Sequence, residues 1–307
     1  SKNNGAKKYF YQNARDYLKQ NNLSDEPAFR MESTIKYDVP FPPPENPKFK
    51  FIDLFAGIGG FRIAFQNLGG KCVFSSEWDK FSQLTYEANY GEIPFGDITK
   101  ISEKDIPNHD ILLGGFPCQA FSIAGRRGGF EDTRGTLFFD VARIIKEKKP
   151  KAFFLENVKG LVNHNKGKTL ETILKVLRED LNYYVPNPKI INAKNFGVPQ
   201  NRERIFIVGF RKDLKIKSFD YPNSPDKKVC FGDIKEEKTV SVKYYLSEVY
   251  LETLRKHKAR HLSKGNGFGF GLPDFNGVTR TLSARYHKDG SEILIKQIGK
   301  NPRRLTP

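Results

Sequence analysis

The sequence predicts an α/β protein built on an open sheet, and three observations carry that reading. Strand-like apolar runs alternate with helix-like stretches through the middle of the chain. The first run, residues 49–55, passes directly into the glycine-rich turn Ala56-Gly57-Ile58-Gly59-Gly60. Glu77 ends the next run, about twenty residues after Gly57, the spacing at which nucleotide-type folds place an acceptor for ribose hydroxyls.

Bulk properties bound the partners. The 307 residues suit one large or two modest domains. A formal charge of +17 points to a polyanion such as nucleic acid, with membrane surfaces and acidic proteins as further partners for the same charge. No apolar run reaches transmembrane length and no signal-peptide pattern opens the sequence, so a soluble cytoplasmic protein is expected. The three cysteines, Cys72, Cys118 and Cys230, form neither a metal pattern nor a disulfide ladder, which suits a reducing compartment.

Residues 1–48 open with a weak helix signal at Tyr9, Phe10, Tyr17 and Leu18 and close on a linker-like Pro40-Phe41-Pro42-Pro43-Pro44. They read foremost as a cover for part of the main domain, with a binding segment as the alternative. After the glycine turn, Phe61, Ala64, Phe65 and Leu68 recur at i, i+3, i+4 and i+7, predicting a helix that lays this face on the sheet. Residues 71–76 form the next strand, and Trp78, the single tryptophan, is placed to stack on an adenine. Gly96-Asp97-Ile98 follows. The turn departs from G-x-G-x-x-G and spells no pyrophosphate site, so S-adenosylmethionine, which carries no phosphate, fits better than a dinucleotide.

Residues 111–113 predict a short buried strand, and Gly114-Gly115-Phe116-Pro117 turns the chain sharply at its end. Cys118 then stands at a strand's carboxyl edge, where open α/β sheets bind ligands. It reads as a nucleophile or as a small buried hydrophobe. The stretch from Gln119 and Ser122 through Arg126 and Arg127 to Arg134 mixes glycines with arginines, as a lid over DNA or as a solvated basic loop. A helix beginning near Gly135 turns Leu137, Val141, Ile144 and Ile145 inward. Residues 151–155 form a strand that presents Glu156, either to the substrate of Cys118 or as an ordinary surface acid. A helix with Leu170, Ile173, Leu174, Leu177 and Leu181 on one face leads to strand character at residues 183–185. Arg202 and Arg204, two apart on an extended segment before the strand 205–210, share a face and serve as a ligand clamp or as structural ion pairs.

Read together, residues 53–60, Glu77-Trp78, Asp97-Ile98, Pro117-Cys118-Gln119, Glu156-Asn157-Val158 and Gln200-Asn201-Arg202-Glu203-Arg204 resemble the motifs of DNA (cytosine-5)-methyltransferases, in that family's order and across roughly residues 50–211. The resemblance implies a Rossmann-like S-adenosylmethionine-dependent methyltransferase fold with a mostly parallel sheet, in residues 49–211, and a smaller target-recognition region in 212–307. That region looks most like those of bacterial Dcm-like enzymes, in residues 264–271 and 278–286, although glycine-rich loops with aromatics also make plain hairpin turns.

The implied cofactor residues are Phe55, Gly57, Ile58, Gly60, Glu77, Trp78, Asp97, Ile98, Gly115, Pro117 and Leu137. The implied DNA contacts are Gln119, Ser122, Arg126, Arg127, Gly267, Gly269, Arg280 and Arg285. In the implied chemistry Cys118 attacks carbon 6 of a flipped-out cytosine, Glu156 supplies acid at N3, and Arg202 and Arg204 hold O2 and orient Glu156. The base that removes the carbon 5 proton is unassigned, with water as one acceptor. A Rossmann-like oxidoreductase would leave Pro-Cys-Gln and the arginine pair without a role. The same motifs would also suit a catalytically weak DNA-binding subunit or a transfer-RNA-directed cytosine-5 methyltransferase. Finally, Pro302-Arg303-Arg304-Leu305-Thr306-Pro307 resembles the opening of the motif that packs between recognition region and large domain, which leaves a shortened chain or, as the expectation favoured here, a second polypeptide supplying the remainder.

Overall fold

A seven-stranded sheet organises the computed structural model, which describes residues 39–117, 137–225, 228–236, 240–283, 286–290 and 292–306. Strands β1 (Phe49–Leu54), β2 (Gly70–Ser76), β3 (Ile111–Gly114) and β4 (Ala152–Val158) are parallel and lie in the order β2-β1-β3-β4. β5 (Tyr183–Tyr184) and β6 (Lys189–Asn192) both pair antiparallel with β8 (Glu203–Arg211), which is itself antiparallel to β4. The chain leaves β1 on one side and returns as β3 on the other. Such a reversal opens a crevice at the carboxyl ends of the strands, where ligands bind in this class of fold.

Parallel strands are covered on both faces and therefore read as near-continuous apolar runs. Ile52, Leu54, Leu112, Phe153 and Leu155 meet α3 (Leu137–Lys148) and α4 (Lys168–Lys175) on one face. Val141, Ile144 and Ile145 are fully buried there as expected, while Leu137 is half-buried. α4 continues into a π turn, Val176–Asp180, that keeps Leu177 in the core. Across the sheet, Phe51 and Leu113 pack with Phe61 and Phe65 of α1 (Gly60–Asn67).

The face predicted for α1 needs correction. Phe61 and Phe65 do pack on the sheet, but Ala64 is exposed, and Leu68 is the C-cap and 63% exposed. The buried positions are Arg62 and Gln66. Arg62 is buried because every direction of its guanidinium is satisfied: it donates twice to Glu92 (2.8 and 2.9 Å) and once each to Tyr86 (3.0 Å) and Gln66 (2.6 Å), and it lies 4.4 Å from the centre of the Tyr90 ring. A paired and hydrogen-bonded charge is the kind that an interior accepts. Tyr86 and Tyr90 come from α2 (Lys80–Tyr90). The proline run is also pinned: Phe41 donates its N–H to the Asn89 carbonyl (3.1 Å), and the Gln66 amide donates to the carbonyls of Phe41 and Pro42.

Beyond the sheet, β7 (Gln200–Asn201) pairs in parallel with β9 (Thr279–Arg280), joining the segment before β8 to the C-terminal third. α5 (Glu248–Ser263) buries Leu251 against Leu246 and Leu294. A short α6 (Tyr286–Asp289) follows, and Arg303 pairs with both Ile295 and Tyr245. Among the described residues no helix is long and apolar enough to cross a membrane.

Candidate active site

Register assembles the site. The parallel ladders align Ser76, Leu54, Gly114 and Leu155 in one row across β2, β1, β3 and β4. The next residues along those strands are Glu77, Phe55, Gly115 and Glu156, so four stretches far apart in sequence converge on one edge of the sheet.

On the β1–β2 side, the Glu77 carboxylate is buried and accepts two backbone N–H groups, Gly57 at Oε2 and Asp79 at Oε1, each at 2.8 Å. It thereby fixes the glycine turn relative to β2. Phe55 (φ 57°) and Gly57 (φ 56°) both lie in the left-handed region. For Phe55 this is a strained conformation of the kind that persists at functional sites because its surroundings enforce it. Gly59 (φ 91°) has a different reason to be glycine, since a Cβ there would collide with the Tyr90 ring, whose hydroxyl donates to the Gly59 carbonyl at 2.6 Å. A Cβ on Gly57 or Gly60 would meet nothing within 4 Å, so open space adjoins the turn. Trp78 and Ile58 are exposed beside it, at 77% and 59%.

Beneath this turn lies Asp53, fully buried, with neither carboxyl oxygen hydrogen-bonded to a described side chain or backbone group at normal geometry. Burial pushes its pKa up to about 7, against the lowering influence of the nearby Arg62 charge and backbone. The Ser76 hydroxyl is similarly buried without a partner among the described residues. Asp97 accepts the Thr99 N–H (3.0 Å) and hydroxyl (2.8 Å) and so starts the turn Ile98–Lys100. The Ile98 side chain does not reach the crevice: it is 3% exposed and belongs to the core, and its carbonyl accepts Arg143 at 2.7 Å.

On the β3–β4 side, Glu156 Oε1 lies 2.7 Å from Arg204 Nε, both side chains about four-fifths buried. Arg202 is close enough that the Arg204 charge, after burial, holds its pKa below the usual guanidinium range, while Glu156 acts the other way. The predicted arginine pair therefore includes one member that is an ion-pair partner of the predicted acid. A Cβ built on Gly115 would stand 3.5 Å from Glu156 Oε2, which places the turn after β3 against the carboxylate. Asn157 completes the arrangement. Its buried amide donates to the Phe116 carbonyl at 2.8 Å, and its oxygen accepts the Val158 N–H at 2.8 Å, tying β4 to the turn that leads into Pro117 and Cys118. Glu156 and Asn157 lie within β4, which runs to Val158, three residues past the expected strand end at Leu155.

A cavity of about 470 Å³ adjoins this edge, lined by Val158, Lys159, Gly160, Asn201, Glu203, Arg204, Arg280 and Thr281. Arg280 thus shares a cavity with Arg204, and its guanidinium also donates to the Gly269 carbonyl at 2.9 Å. Gly269 (φ 135°) is required by its backbone and by Lys258, whose Cβ would lie 2.9 Å from an added methyl, whereas Gly267 borders open space. Cys118, Gln119, Ser122, Arg126, Arg127 and Arg285 lie outside the described residues. Asp53 and Asn157 stand within the sequence motifs without a role of their own, and Tyr90 outside them, where the i, i+4 aromatic pair Tyr86/Tyr90 offers a local signal.

The comparisons agree with this geometry. Residues 49–307 match the family model described as C-5 cytosine-specific DNA methylase. The chain is 65% identical over 267 residues to "Type II methyltransferase M.HpaII" of Haemophilus parainfluenzae, covering 85% of this chain and 73% of that protein. It is 57% identical over 273 residues to "Type II methyltransferase M.SsoII" of Shigella sonnei, covering 87% and 71% respectively. These relatives lend no support to the second polypeptide expected from the C-terminal sequence. The S. pombe Dnmt2 methyltransferase crystal structure shares the fold, with a TM-score of 0.63 at 17% identity over 84% of each chain. The chain belongs to the C-5 cytosine-specific DNA methylase family and is a DNA cytosine-5 methyltransferase with the Rossmann-like methyltransferase fold.

Proposed function

We propose that this enzyme transfers a methyl group from S-adenosylmethionine to carbon 5 of a cytosine flipped out of duplex DNA at a specific sequence, through a covalent bond to Cys118. The observation that carries the reading is the Glu156–Arg204 pair, with Arg202 beside it, set against the Gly115–Phe116 turn that runs into Pro117 and Cys118.

The crevice suits this cofactor. The carboxylates of Glu77 and Asp97, at the ends of the strand and turn beside the glycine turn, favour a ligand with sulfonium and ammonium charges. Open space at Gly57 and Gly60 admits it close to the backbone. Arg62, the cation in the first turn of α1, is buried and engaged by Glu92, so no phosphate partner is offered there. Phe55, Gly57, Ile58, Gly60, Glu77, Trp78 and Asp97 would hold it, with Gly115, Pro117 and Leu137 closing from β3 and α3. Ile98 contributes through the turn that Asp97 starts. When bound, S-adenosylmethionine supplies an electrophilic methyl group for carbon 5.

The protein's own residues prepare carbon 5 for that methyl. The Cys118 thiolate adds to carbon 6, breaking the 5,6 double bond and moving electron density toward carbon 5 and N3. Glu156 shares a proton with N3, and Arg202 and Arg204 hold O2 and the carboxylate in place. After methylation, a base removes the carbon 5 proton, the double bond re-forms and the thiolate leaves. Gln119, Ser122, Arg126 and Arg127 follow the nucleophile as DNA contacts, and Gly267, Gly269, Arg280 and Arg285 contribute from the target-recognition region, residues 212–307. Extruding the base costs about a few kcal/mol, repaid by contacts to both regions. The enzyme works in a bacterial cytoplasm, where its DNA substrate lies. Sequencing methylated cytosines in DNA from cells expressing the protein tests the whole reading: 5-methylcytosine confined to one short motif is expected, and unmodified DNA overturns it.

A further inference from the structure

We propose that α5 is a docking helix for the phosphate backbone of duplex DNA, in which Lys256 and Arg260 bind phosphates outside the base-reading loops. The inference rests on duplex DNA being the substrate, and it concerns an element to which the motifs assign no role.

Residues 253–273 contain no Asp or Glu, yet they include Arg255, Lys256, Lys258, Arg260 and Lys264. Two of these cations are committed within the fold. Arg255 pairs with Glu248 and Glu252 at 3.0 and 3.3 Å. Lys258 lies 4.8 Å from the Phe270 ring centre. Lys256, Arg260 and Lys264 are exposed and form no ion pair with a described residue. Spaced at i, i+4 and i+8, they make one row along the helix, on the side turned away from Leu251 and Leu254. Every residue from Arg255 to Arg260 is exposed, so this half of α5 gains little from burial, and its like charges repel. A polyanion relieves that repulsion and gains from counterion release.

Position favours DNA over an acidic protein. Lys264 leads straight into the glycine-rich loop, where Asn266 bonds His261 at 2.8 Å and Phe268 packs edge-on to the same ring. Gly269 of that loop holds Arg280, which lines the cavity shared with Arg204. Basic groups therefore run from the catalytic arginines through Arg280 to α5. The loop itself packs on the Lys258 and His261 side of α5, and Lys256 and Arg260, without an ion-pair partner among the described residues, stand on the outer side, for a duplex that continues past its target base at Glu156.

The test uses the full chain with Lys256→Ala and Arg260→Ala combined. Kd is measured across a salt series for a duplex containing the methylated motif and for a scrambled duplex. Both affinities should fall together, and the slope of log K against log salt should shrink by roughly two, at about 0.9 per phosphate released. The charge-retaining Lys256→Arg/Arg260→Lys variant should restore the slope, and Lys175→Ala on α4 should leave it unchanged. Unchanged slope and affinity in the double alanine variant overturn the proposal and leave an acidic protein as the occupant. A loss confined to the motif-containing duplex, or an equal drop in slope for Lys175→Ala, overturns it as well. Retained S-adenosylmethionine affinity reports folding; should it be lost, the single Gln variants at the two positions are read by the same criteria. A wild-type protein that binds no duplex overturns both this inference and the reading beneath it.

Discussion

The side-chain amide of Asn157 and the carbonyl of Phe116 lie 2.8 Å apart, and this one buried hydrogen bond couples the strand bearing Glu156 to the segment Gly115–Pro117. It ties the proposed acid to the segment that precedes the proposed nucleophile in sequence. Asn157→Ala leaves the Phe116 carbonyl buried without that donor, which should cost about 1–3 kcal/mol of stability. It should also lower kcat more than it weakens S-adenosylmethionine binding. Thermal unfolding and steady-state kinetics check both; a wild-type kcat would show that the turn is positioned by other means.

Glu156→Gln keeps the size of the side chain but removes the acid and the charge that Arg204 binds. A loss of roughly 10²- to 10⁴-fold in kcat is expected, the range for a general acid. Both Glu156→Gln and Glu156→Ala should also destabilise the fold, because the neighbouring guanidiniums of Arg202 and Arg204 lose the negative charge beside them. A wild-type melting temperature for Glu156→Gln would contradict this charge balance.

Glu77→Ala removes the acceptor of two backbone N–H groups and frees the Gly57 turn from β2. S-adenosylmethionine affinity should fall by roughly tenfold or more while duplex affinity changes little. Isothermal titration with each ligand separates the two, and an unchanged cofactor affinity would assign the ribose contact to another acid.

Asp53 should leave a pH signature in stability. Its folded-state pKa of about 7 is above the ordinary 3.8, so between these values the folded protein holds a proton that the unfolded chain does not. Its contribution is therefore full below pH 3.8 and is lost as pH rises through about 7, by at most roughly 4 kcal/mol for a shift of this size. Asp53→Asn should flatten this fall and unfold at higher denaturant than wild type at about pH 8. A parallel pair of stability–pH curves would show that Asp53 is ionised throughout.

Much of the site is legible in the sequence because each motif carries its own local cause. A glycine turn after a strand, an acid at the next strand's end, and a Gly-Gly-Phe-Pro turn all announce carboxyl edges. Helix faces are less secure. Periodicity places Leu68 inward and passes over Arg62, since it cannot see that Glu92, Tyr86 and Tyr90 close around the guanidinium. The Asn157–Phe116 bond joins residues 41 positions apart, so the motif Glu156-Asn157-Val158 marks Asn157 without showing what its amide holds. α5 escapes detection for a related reason: a helix that is polar on most sides has little apolar period to show.

The central claim, that Cys118 attacks carbon 6 of a flipped cytosine beside Glu156, is tested most directly with a duplex carrying 5-fluorocytosine at the target position. Fluorine at carbon 5 cannot leave as a proton does, so the Cys118 adduct persists after methyl transfer. With S-adenosylmethionine present, the wild-type protein should become attached to this duplex in a complex that survives denaturation, and Cys118→Ala should form none while still binding the cofactor. A stable adduct on Cys118→Ala, or turnover by that variant, would contradict the account.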